Sequence, residues 1–331
     1  MKVAVLGAGA WGTAFAVTLG AQHEVTLWVR DPEQCGRMRE SRINQRYLPG
    51  IFLPESLNLT SDLHAACAGA ELSILGVTVA GLRPTLRKVA AFGRPLPTIW
   101  LCKGFEAGTA KLPHEVAAEE LGDEVPRGVL SGPSFALEVA RGAPAALTLA
   151  APDGTFAARA ARALHSRRLR IYSSDDMTGV EVGAAVKNVI AIAAGISDGL
   201  GFGESARAAL ITRGLAEVTR LGTGLGGRPE TFTGLSGVGD LILTCTGGLS
   251  RNRQVGLRLA AGGHLTQILE EIGHVAEGVH SAREVFNLAR EVSAEMPIVS
   301  AVCEVLHGRL SPQAAVDQLL SRDPKPEHRV P

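Results

Sequence analysis

Lys2-Val-Ala-Val-Leu-Gly7-Ala-Gly9-Ala-Trp-Gly12 is the stretch that decides the fold of the first half of this 331-residue chain. It joins a short apolar strand to residues 13–19, which have the composition of a helix, through three glycines at the GxGxxG spacing. Gly7 permits a tight turn, Gly9 lets the backbone approach a pyrophosphate, and Gly12 lets helix and strand pack closely. Free amides at the helix N-terminus then face the phosphates. The stretch therefore predicts a dinucleotide-binding βαβ unit.

Short apolar runs alternate with segments of helical spacing, such as 82–92 and 112–121, through the first half of the chain. The predicted strands are 3–6, 25–29, 72–77, 98–102, 128–130, 145–149 and 169–172. This order indicates an α/β domain of Rossmann type, in which helices cover both faces of a mostly parallel sheet.

From about residue 177 the strand patterns stop and only helical spacing remains. The predicted helices there are 206–221, 255–261, 265–272, 281–292 and 301–306. Because one core rarely supports so long a chain, we predict a dinucleotide-binding domain at 1–176 and an all-α substrate and catalytic domain at 177–331. The proline-containing segment 323–331 is expected to be a frayed tail.

Composition narrows the classes of function. Lys+Arg and Asp+Glu balance at 33 each, so no overall field favours nucleic acid or an anionic membrane surface. The five cysteines (35, 67, 102, 245 and 303) lack CxxC spacing, which argues against a metal site and a disulfide framework and favours a reducing cytoplasm. No signal peptide is expected at the N-terminus. The sequence leaves the oligomeric state open, and a homodimer is compatible with it.

Lys187 is the only charge in an apolar stretch of about fifteen residues, 182–196. That length is short of the roughly 20 residues that a bilayer needs, so the stretch is interpreted as a core or cleft helix without membrane insertion. A buried ammonium must find a partner, lose its proton or face a cleft. Such a group could protonate a carbonyl oxygen during hydride transfer, and Asp240 is a natural carboxylate to tune its pKa. The alternatives without a catalytic role are a Lys187 side chain that reaches the surface and an Asp240 side chain that caps a helix.

Polar residues elsewhere suit an anionic substrate. Ser250-Arg251-Asn252-Arg253 groups a hydroxyl, a carboxamide and two guanidinium forks, which fits a phosphate monoester, although a helix N-cap with exposed arginines is equally compatible. Ser131-Gly-Pro-Ser-Phe135 and Lys103 each follow a predicted strand, at the edge where such sheets bind ligands. Either segment could also be a simple loop.

Arg30 follows the second predicted strand, where the residue faces the adenosine ribose in this fold. A carboxylate at this position would bind the 2′-hydroxyl of NAD, whereas an arginine accommodates the 2′-phosphate of NADP. We therefore expect NADP(H) to be preferred and NAD(H) to be tolerated. The alternative is that Arg30 is a solvated surface residue.

These segments resemble the bacterial NAD(P)-dependent sn-glycerol-3-phosphate dehydrogenases over nearly the whole chain. The resemblance rests on motifs such as Leu27-Trp-Val-Arg30, Tyr47-Leu-Pro49, Val186-Lys-Asn-Val189, Gly237-Val-Gly-Asp240 and Ala276-Glu-Gly278. It implies a dinucleotide-binding domain joined to a helical one, and interconversion of glycerol 3-phosphate and dihydroxyacetone phosphate to supply phospholipid synthesis.

The resemblance also implies roles for individual residues. Lys187 would be the catalytic proton acceptor or donor. The substrate would be lined by Lys103, Gly132, Ser134, Lys187, Asp240, Ser250, Arg251 and Asn252. Besides Gly7, Gly9 and Gly12, the cofactor would touch Ala10, Trp11, Arg30, Lys103, Ala136, Arg251, Val275 and Glu277.

The chain departs from the family pattern at two places. It has Val77-Thr78-Val79 where Val-Pro-Ser is common, and Cys102 where a hydroxyl residue usually precedes the lysine.

Two other functions remain open. A dehydrogenase for a hydroxy acid or an acyl thioester would need an anchor for a carboxylate or a long acyl tail, whereas 250–253 favours phosphate. A cofactor-sensing module would have no use for an isolated ammonium at Lys187.

Overall fold

The computed structural model describes residues 1–93, 96–273 and 276–324. The strands are β1 (Lys2–Leu6), β2 (Glu24–Trp28), β3 (Ile43–Asn44), β4 (Leu48–Phe52), β5 (Asn58–Thr60), β6 (Leu72–Leu75), β7 (Thr98–Trp100), β8 (Arg127–Ser131), β9 (Ala145–Ala150) and β10 (Leu169–Ser174). All seven strands predicted from the apolar runs are present. The strands β3, β4 and β5 were not predicted.

Helices of the first half connect these strands. They are α1 (Ala10–Leu19), α2 (Pro32–Ser41), α3 (Leu63–Cys67), α4 (Val79–Ala90), α5 (Pro113–Leu121), α6 (Ala136–Ala140) and α7 (Gly154–Leu164). Eight strands form one sheet in the order β10-β9-β8-β7-β6-β1-β2-β5, while β3 and β4 form a separate antiparallel hairpin. Every pairing in the large sheet is parallel except β8 with β9. The Rossmann-type expectation is confirmed.

The second half is helical throughout its described residues, as predicted. Its helices are α8 (Met177–Gly199), α9 (Gly203–Gly224), α10 (Pro229–Phe232), α11 (Asp240–Thr246), α12 (Arg251–Ala260), α13 (Leu265–Ile272), α14 (Glu277–Glu291), α15 (Pro297–Leu306) and α16 (Pro312–Leu320), with a π-helical turn at Leu235–Gly239 before α11. The last strand ends at Ser174 and α8 begins at Met177. The domain division after residue 176 remains a prediction. Of the predicted tail, residues 325–331 lie outside the described residues.

The helix α8 is the centre of the second half. It packs against α9, α11, α12 and α14. Its crossing with α12 is close, because a Cβ on Gly195 would lie 2.0 Å from the Arg253 carbonyl oxygen and one on Gly256 would lie 2.1 Å from the Ile192 carbonyl oxygen. Only glycine permits this approach, which brings the start of α12 beside the residues that follow Lys187.

The expected length of this helix is wrong. It has 23 residues rather than about fifteen, because Asp176 caps it and the turns on either side of the apolar stretch are also helical. By length and composition alone α8 could cross a membrane, but its most apolar 18-residue window is entirely buried inside the protein. The interpretation as a core or cleft helix therefore holds for a different reason, since burial and not shortness distinguishes it from a membrane span.

Candidate active site

The glycine loop between β1 and α1 has the geometry that the motif predicts. Gly7 has φ +116°, in the region that favours glycine. A Cβ on Gly12 would lie 2.0 Å from the Gly7 carbonyl oxygen, so α1 sits directly against the turn. Gly9 is the N-cap of α1, and the Thr13 amide donates to its carbonyl at 2.9 Å. The amides of Ala10, Trp11 and Gly12 therefore have no partner within the helix and form a cradle for an anion.

A buried asparagine that the sequence did not reveal braces this loop. Asn44, at the end of β3, donates from Nδ2 to the Ala8 carbonyl at 2.9 Å and to Thr13 Oγ1 at 2.8 Å. These partners are 36 and 31 residues away in the chain, so no local pattern could identify the contact. The β3–β4 hairpin thus holds the loop from outside the large sheet.

Arg30 lies just beyond β2, as predicted, and its side chain is exposed. The neighbouring Asp31 caps α2 and accepts from the Glu33 amide at 3.0 Å. Because the Asp31 carboxylate is used in this cap, Arg30 is the side chain left to face a ligand at the end of β2.

Two lysines meet on one buried aspartate at the centre of the site. Lys187 Nζ lies 2.5 Å from Asp240 Oδ1 and donates to Thr244 Oγ1 at 2.8 Å. Lys103 Nζ lies 2.8 Å from the other oxygen, Oδ2 of Asp240. Lys187 and Asp240 are buried, with side chains 7% and 1% exposed. The structure therefore brings together Lys103 from the loop after β7 and Lys187 and Asp240 from two helices.

Burial sets the proton affinity of Lys187. Loss of solvation and, to a smaller extent, the positive charge of Lys103 lower its pKa, the charges of Asp240 and Glu277 raise it, and the net result is a pKa of about 8. Both protonation states are therefore populated near neutral pH, which suits a group that gives and takes a proton.

Amide side chains extend the site from Lys187 toward α12 and α14. Asn252 Nδ2 donates to Asn188 Oδ1 at 3.0 Å, and Asn252 Oδ1 accepts from the Gly278 amide at 3.0 Å. Asn188 also donates to Glu277 Oε2 at 3.5 Å. Burial raises the pKa of Glu277, and the nearby cations Arg251, Lys103 and Lys187 oppose this shift. Asn188 was not singled out from the sequence.

The Ser250–Arg253 group is only partly as expected. Ser250 is the N-cap of α12, and its Oγ accepts from the Arg253 amide at 3.3 Å, so the helix-cap alternative describes its side chain. Arg253 binds Asp198 with N–O distances of 2.7 and 2.8 Å, so its guanidinium does not serve as a second fork for an anion. Arg251, at the first position of α12, is exposed.

The turn after β8 lies beside Lys103. Gly132 has φ +145°, and the Ser134 hydroxyl donates to its carbonyl at 3.0 Å. The Ser131 hydroxyl is buried with no hydrogen-bond partner among the described residues. A narrow crevice of about 10 Å³, room for about one water molecule, joins this turn to α1, and its lining consists of Trp11, Leu101, Lys103, Leu130, Ser131, Ser134 and Leu147. Residues expected at the cofactor and at the substrate thus face one space.

Three more residues were expected to touch the cofactor. Ala136 begins α6 and packs near α1 through Ala14. Glu277 begins α14 and is partly buried beside Asn188. Val275 lies outside the described residues.

Comparisons with known proteins identify relatives over the full chain. The family model described as the NAD-dependent glycerol-3-phosphate dehydrogenase N-terminus matches residues 2–157, and the one described as its C-terminus matches residues 176–317. Proteins named glycerol-3-phosphate dehydrogenase [NAD(P)+] from Nitrosospira multiformis and Dechloromonas aromatica are 60% and 58% identical, and each alignment covers 99% of both chains. The crystal structure of glycerol-3-phosphate dehydrogenase from Coxiella burnetii is 42% identical with a TM-score of 0.93, over 97% of this chain and 99% of that one.

Proposed function

Because this chain belongs to the NAD-dependent glycerol-3-phosphate dehydrogenase family, we propose that it interconverts sn-glycerol 3-phosphate and dihydroxyacetone phosphate with Lys187 as the proton donor and acceptor. The observation that carries the assignment is the buried Lys187–Asp240 pair with Lys103 on its other side. The relatives described above are named glycerol-3-phosphate dehydrogenase [NAD(P)+]. Supply of glycerol 3-phosphate for phospholipid synthesis in the cytoplasm is part of the same proposal.

The proton chemistry follows from the position and pKa of Lys187. When the ketone is reduced, negative charge develops on the C2 oxygen, and the ammonium both stabilises that charge and supplies the proton. In the opposite direction the neutral amine takes the hydroxyl proton. The Asp240 carboxylate orients Nζ and favours the charged form, which offsets part of the desolvation that lowers the pKa to about 8.

The residues around the glycine loop fit a nicotinamide dinucleotide. The amide cradle at the start of α1 is open to an anion, and Gly9 has space in front of it, because its Cβ would meet only the Gly76 carbonyl oxygen at 3.7 Å. When bound, the nicotinamide supplies or accepts the hydride. Trp11, Ala136, Arg251, Val275 and Glu277 are proposed as further cofactor contacts. Arg30 is proposed to select the 2′-phosphate of NADP(H), with NAD(H) also used.

Arg251 is the proposed anchor for the substrate phosphate. It is the exposed cation at the N-terminus of α12, where the helix dipole also favours an anion. Ser250 and Asn252 are engaged in hydrogen bonds that fix the start of this helix, so they support Arg251 as well as lining the site. Lys103, Gly132 and Ser134 are proposed to line the site from the sheet.

Alternatives are less compatible with these contacts. A sensor without chemistry leaves the buried pairing of two lysines with Asp240 unexplained. A hydroxy-acid dehydrogenase would need an anchor for a carboxylate instead of one for a phosphate. Arg251 at a helix N-terminus favours phosphate, although it does not by itself exclude carboxylate.

The deciding experiment is a spectrophotometric assay of dihydroxyacetone phosphate reduction with NADPH and with NADH. Pyruvate and unphosphorylated dihydroxyacetone serve as comparison substrates, and Lys187→Ala serves as the inactive control. We expect rapid oxidation of the cofactor with the phosphorylated ketone alone. Equal rates with pyruvate, or no rate with the phosphorylated ketone, would refute the assignment.

A further inference from the structure

A buried carboxylate outside the site described above joins the two halves of the chain. Glu181 lies on α8 with its side chain 1% exposed. Its Oε1 accepts from the indole Nε1 of Trp100 at 2.8 Å, and its Oε2 lies 2.6 Å from Nδ1 of His114 and accepts from the His114 amide at 3.4 Å. One carboxylate therefore connects the end of β7, the start of α5 and α8.

This arrangement is costly if its purpose is stability alone. Burial raises the pKa of Glu181, and the donors His114 and Trp100 oppose the shift only in part. A leucine of similar volume would fill the same space without desolvating a charge. The hydrogen bonds do fix orientation, because the indole of Trp100 and the imidazole of His114 can each reach the carboxylate in only one orientation of the ring.

Trp100 ends β7 just before the loop that carries Lys103, and Glu181 lies on α8, the helix that carries Lys187. Trp100 is three residues before Lys103, and Glu181 is six residues before Lys187, about 9 Å along the helix axis. The lysines converge on the two oxygens of Asp240. A shift of β7 relative to α8 would therefore separate Lys103 from Asp240 while leaving Lys187 in place.

We propose that Glu181 is a positioning residue whose hydrogen bonds to Trp100 and His114 fix the end of β7 against α8, and so hold Lys103 and Lys187 on the same carboxylate of Asp240. This inference rests on the proposed function, because its consequence is measured as turnover. The glycine loop is formed by β1 and α1 and does not include this joint, and Lys103 is one of eleven residues assigned to the cofactor, so the Kd for the cofactor is expected to change little.

The test compares three variants of the joint in the full-length protein. Glu181→Leu removes all acceptors at nearly constant volume, and we expect kcat to fall about 10- to 100-fold, since small misplacements in an active site have effects of this size. Glu181→Gln can still accept from Trp100 and donate to a neutral His114, and it loses only the long bond from the His114 amide, so kcat should stay near the wild-type value. Trp100→Phe removes the indole donor together with part of a fully buried ring, and should lower kcat by about 3- to 10-fold. The Kd for NADPH, measured by fluorescence, should change less than twofold in all three.

A second buried glutamate provides the matched control. Glu217 lies on α9, is 3% exposed, and accepts from the Ile298 and Val299 amides at 2.7 and 3.1 Å. Glu217→Leu also removes a buried carboxylate, but its hydrogen bonds go to α15 and not to α8 or to the loop that carries Lys103. We expect it to lower Tm while kcat per folded molecule is retained.

The pH profile separates positioning from general destabilisation. The charges that act on Lys187 are those of Asp240, Lys103 and Glu277, and Lys103 keeps the lysine's pKa low. If Lys103 moves away from Asp240, the pKa of Lys187 rises, so the pH at which ketone reduction is half-maximal should increase in Glu181→Leu and Trp100→Phe. It should not move in Glu217→Leu.

Each outcome decides the proposal. Wild-type kcat and pH profile in Trp100→Phe and in folded Glu181→Leu would overturn it, and so would an equal loss of kcat in Glu217→Leu. If Glu181→Leu fails to fold, the Trp100→Phe result alone decides. An inactive wild-type protein would instead refute the proposed function.

Discussion

Lys187 Nζ and Asp240 Oδ1 lie 2.5 Å apart although 53 residues separate them in the chain. The contact exists because α8 and α11 pack together. It places a lysine whose pKa is about 8 beside the buried carboxylate that orients it.

Replacement of the lysine should abolish most turnover. For Lys187→Ala we expect kcat to fall by about 10²- to 10⁴-fold, the usual contribution of a positioned acid or base. The Kd for NADPH should change little, because Asp240 keeps its pairing with Lys103. Steady-state kinetics and fluorescence titration measure both quantities. Turnover near that of the wild type would contradict the role of Lys187, and the exposed Lys111→Ala is the control.

The direction of the reaction should respond to pH in opposite ways. Ketone reduction needs the ammonium form of Lys187, so its kcat should fall as the pH rises through about 8. Alcohol oxidation needs the neutral amine, so its kcat should fall as the pH drops below about 8. Rate profiles from pH 6 to 10 in both directions test this. Parallel profiles in the two directions would exclude Lys187 as the titrating group.

Arg251 should control substrate affinity. Loss of its charge in Arg251→Ala is expected to raise KM for dihydroxyacetone phosphate by the equivalent of about 2–4 kcal/mol, with a smaller effect on kcat. Arg258 on the same helix pairs with Glu271 at 2.9 Å, so Arg258→Ala should leave KM unchanged. An unaltered KM in Arg251→Ala would move the phosphate to another part of the site.

The choice of cofactor should depend on Arg30. In Arg30→Ala the ratio of kcat/KM with NADPH to that with NADH should fall by about 10- to 100-fold, because a charge-assisted hydrogen bond to the 2′-phosphate is lost. Arg37→Ala on α2 is the matched control, since Arg37 is exposed and pairs with Glu33 at 3.6 Å. A constant ratio in Arg30→Ala would remove this residue from cofactor selection.

Glu217 should make stability depend on pH. Burial raises its pKa to about 7, while the Ile298 and Val299 amides oppose the shift. The folded state therefore holds this proton more tightly than the unfolded state, so the stabilisation is complete below about pH 4.5 and is lost as the pH rises through about 7. The loss amounts to at most about 3 kcal/mol. Urea unfolding at pH 5 and pH 7.5 should show a smaller difference for Glu217→Gln than for the wild type, and equal differences would exclude this titration.

Local patterns predicted most of the fold. The alternation of apolar runs and helical spacing identified seven strands of the large sheet and the helical second half, because strand and helix periods are visible within a few residues. The shortest elements were missed. The strands β3 and β5 have two and three residues, so they are too short to show a period, and β4 contains a proline and a glycine.

The residues of the site also divide into those that the local sequence identified and those that it did not. Lys187 was found because a lone charge in an apolar helix is a local anomaly, and the glycine loop because its spacing is local. Thr244, Asn44 and Glu181 were not found, since their partners lie on other elements and nothing near them in sequence is unusual. Arg253 was assigned to the wrong task for the same reason, because its partner Asp198 is 55 residues away.

The sequence by itself determined the elements, the dinucleotide loop and the chemical types at the site, since each depends on interactions among neighbouring residues. Tertiary structure alone decided which groups meet. The packing of α8 against α11 and α12 pairs Lys187 with Asp240 and leaves Arg251 exposed while Arg253 is neutralised, and the loop after β7 brings Lys103 to the same carboxylate. Those distances set desolvation and charge interactions, and therefore the proton affinity on which the proposed chemistry depends.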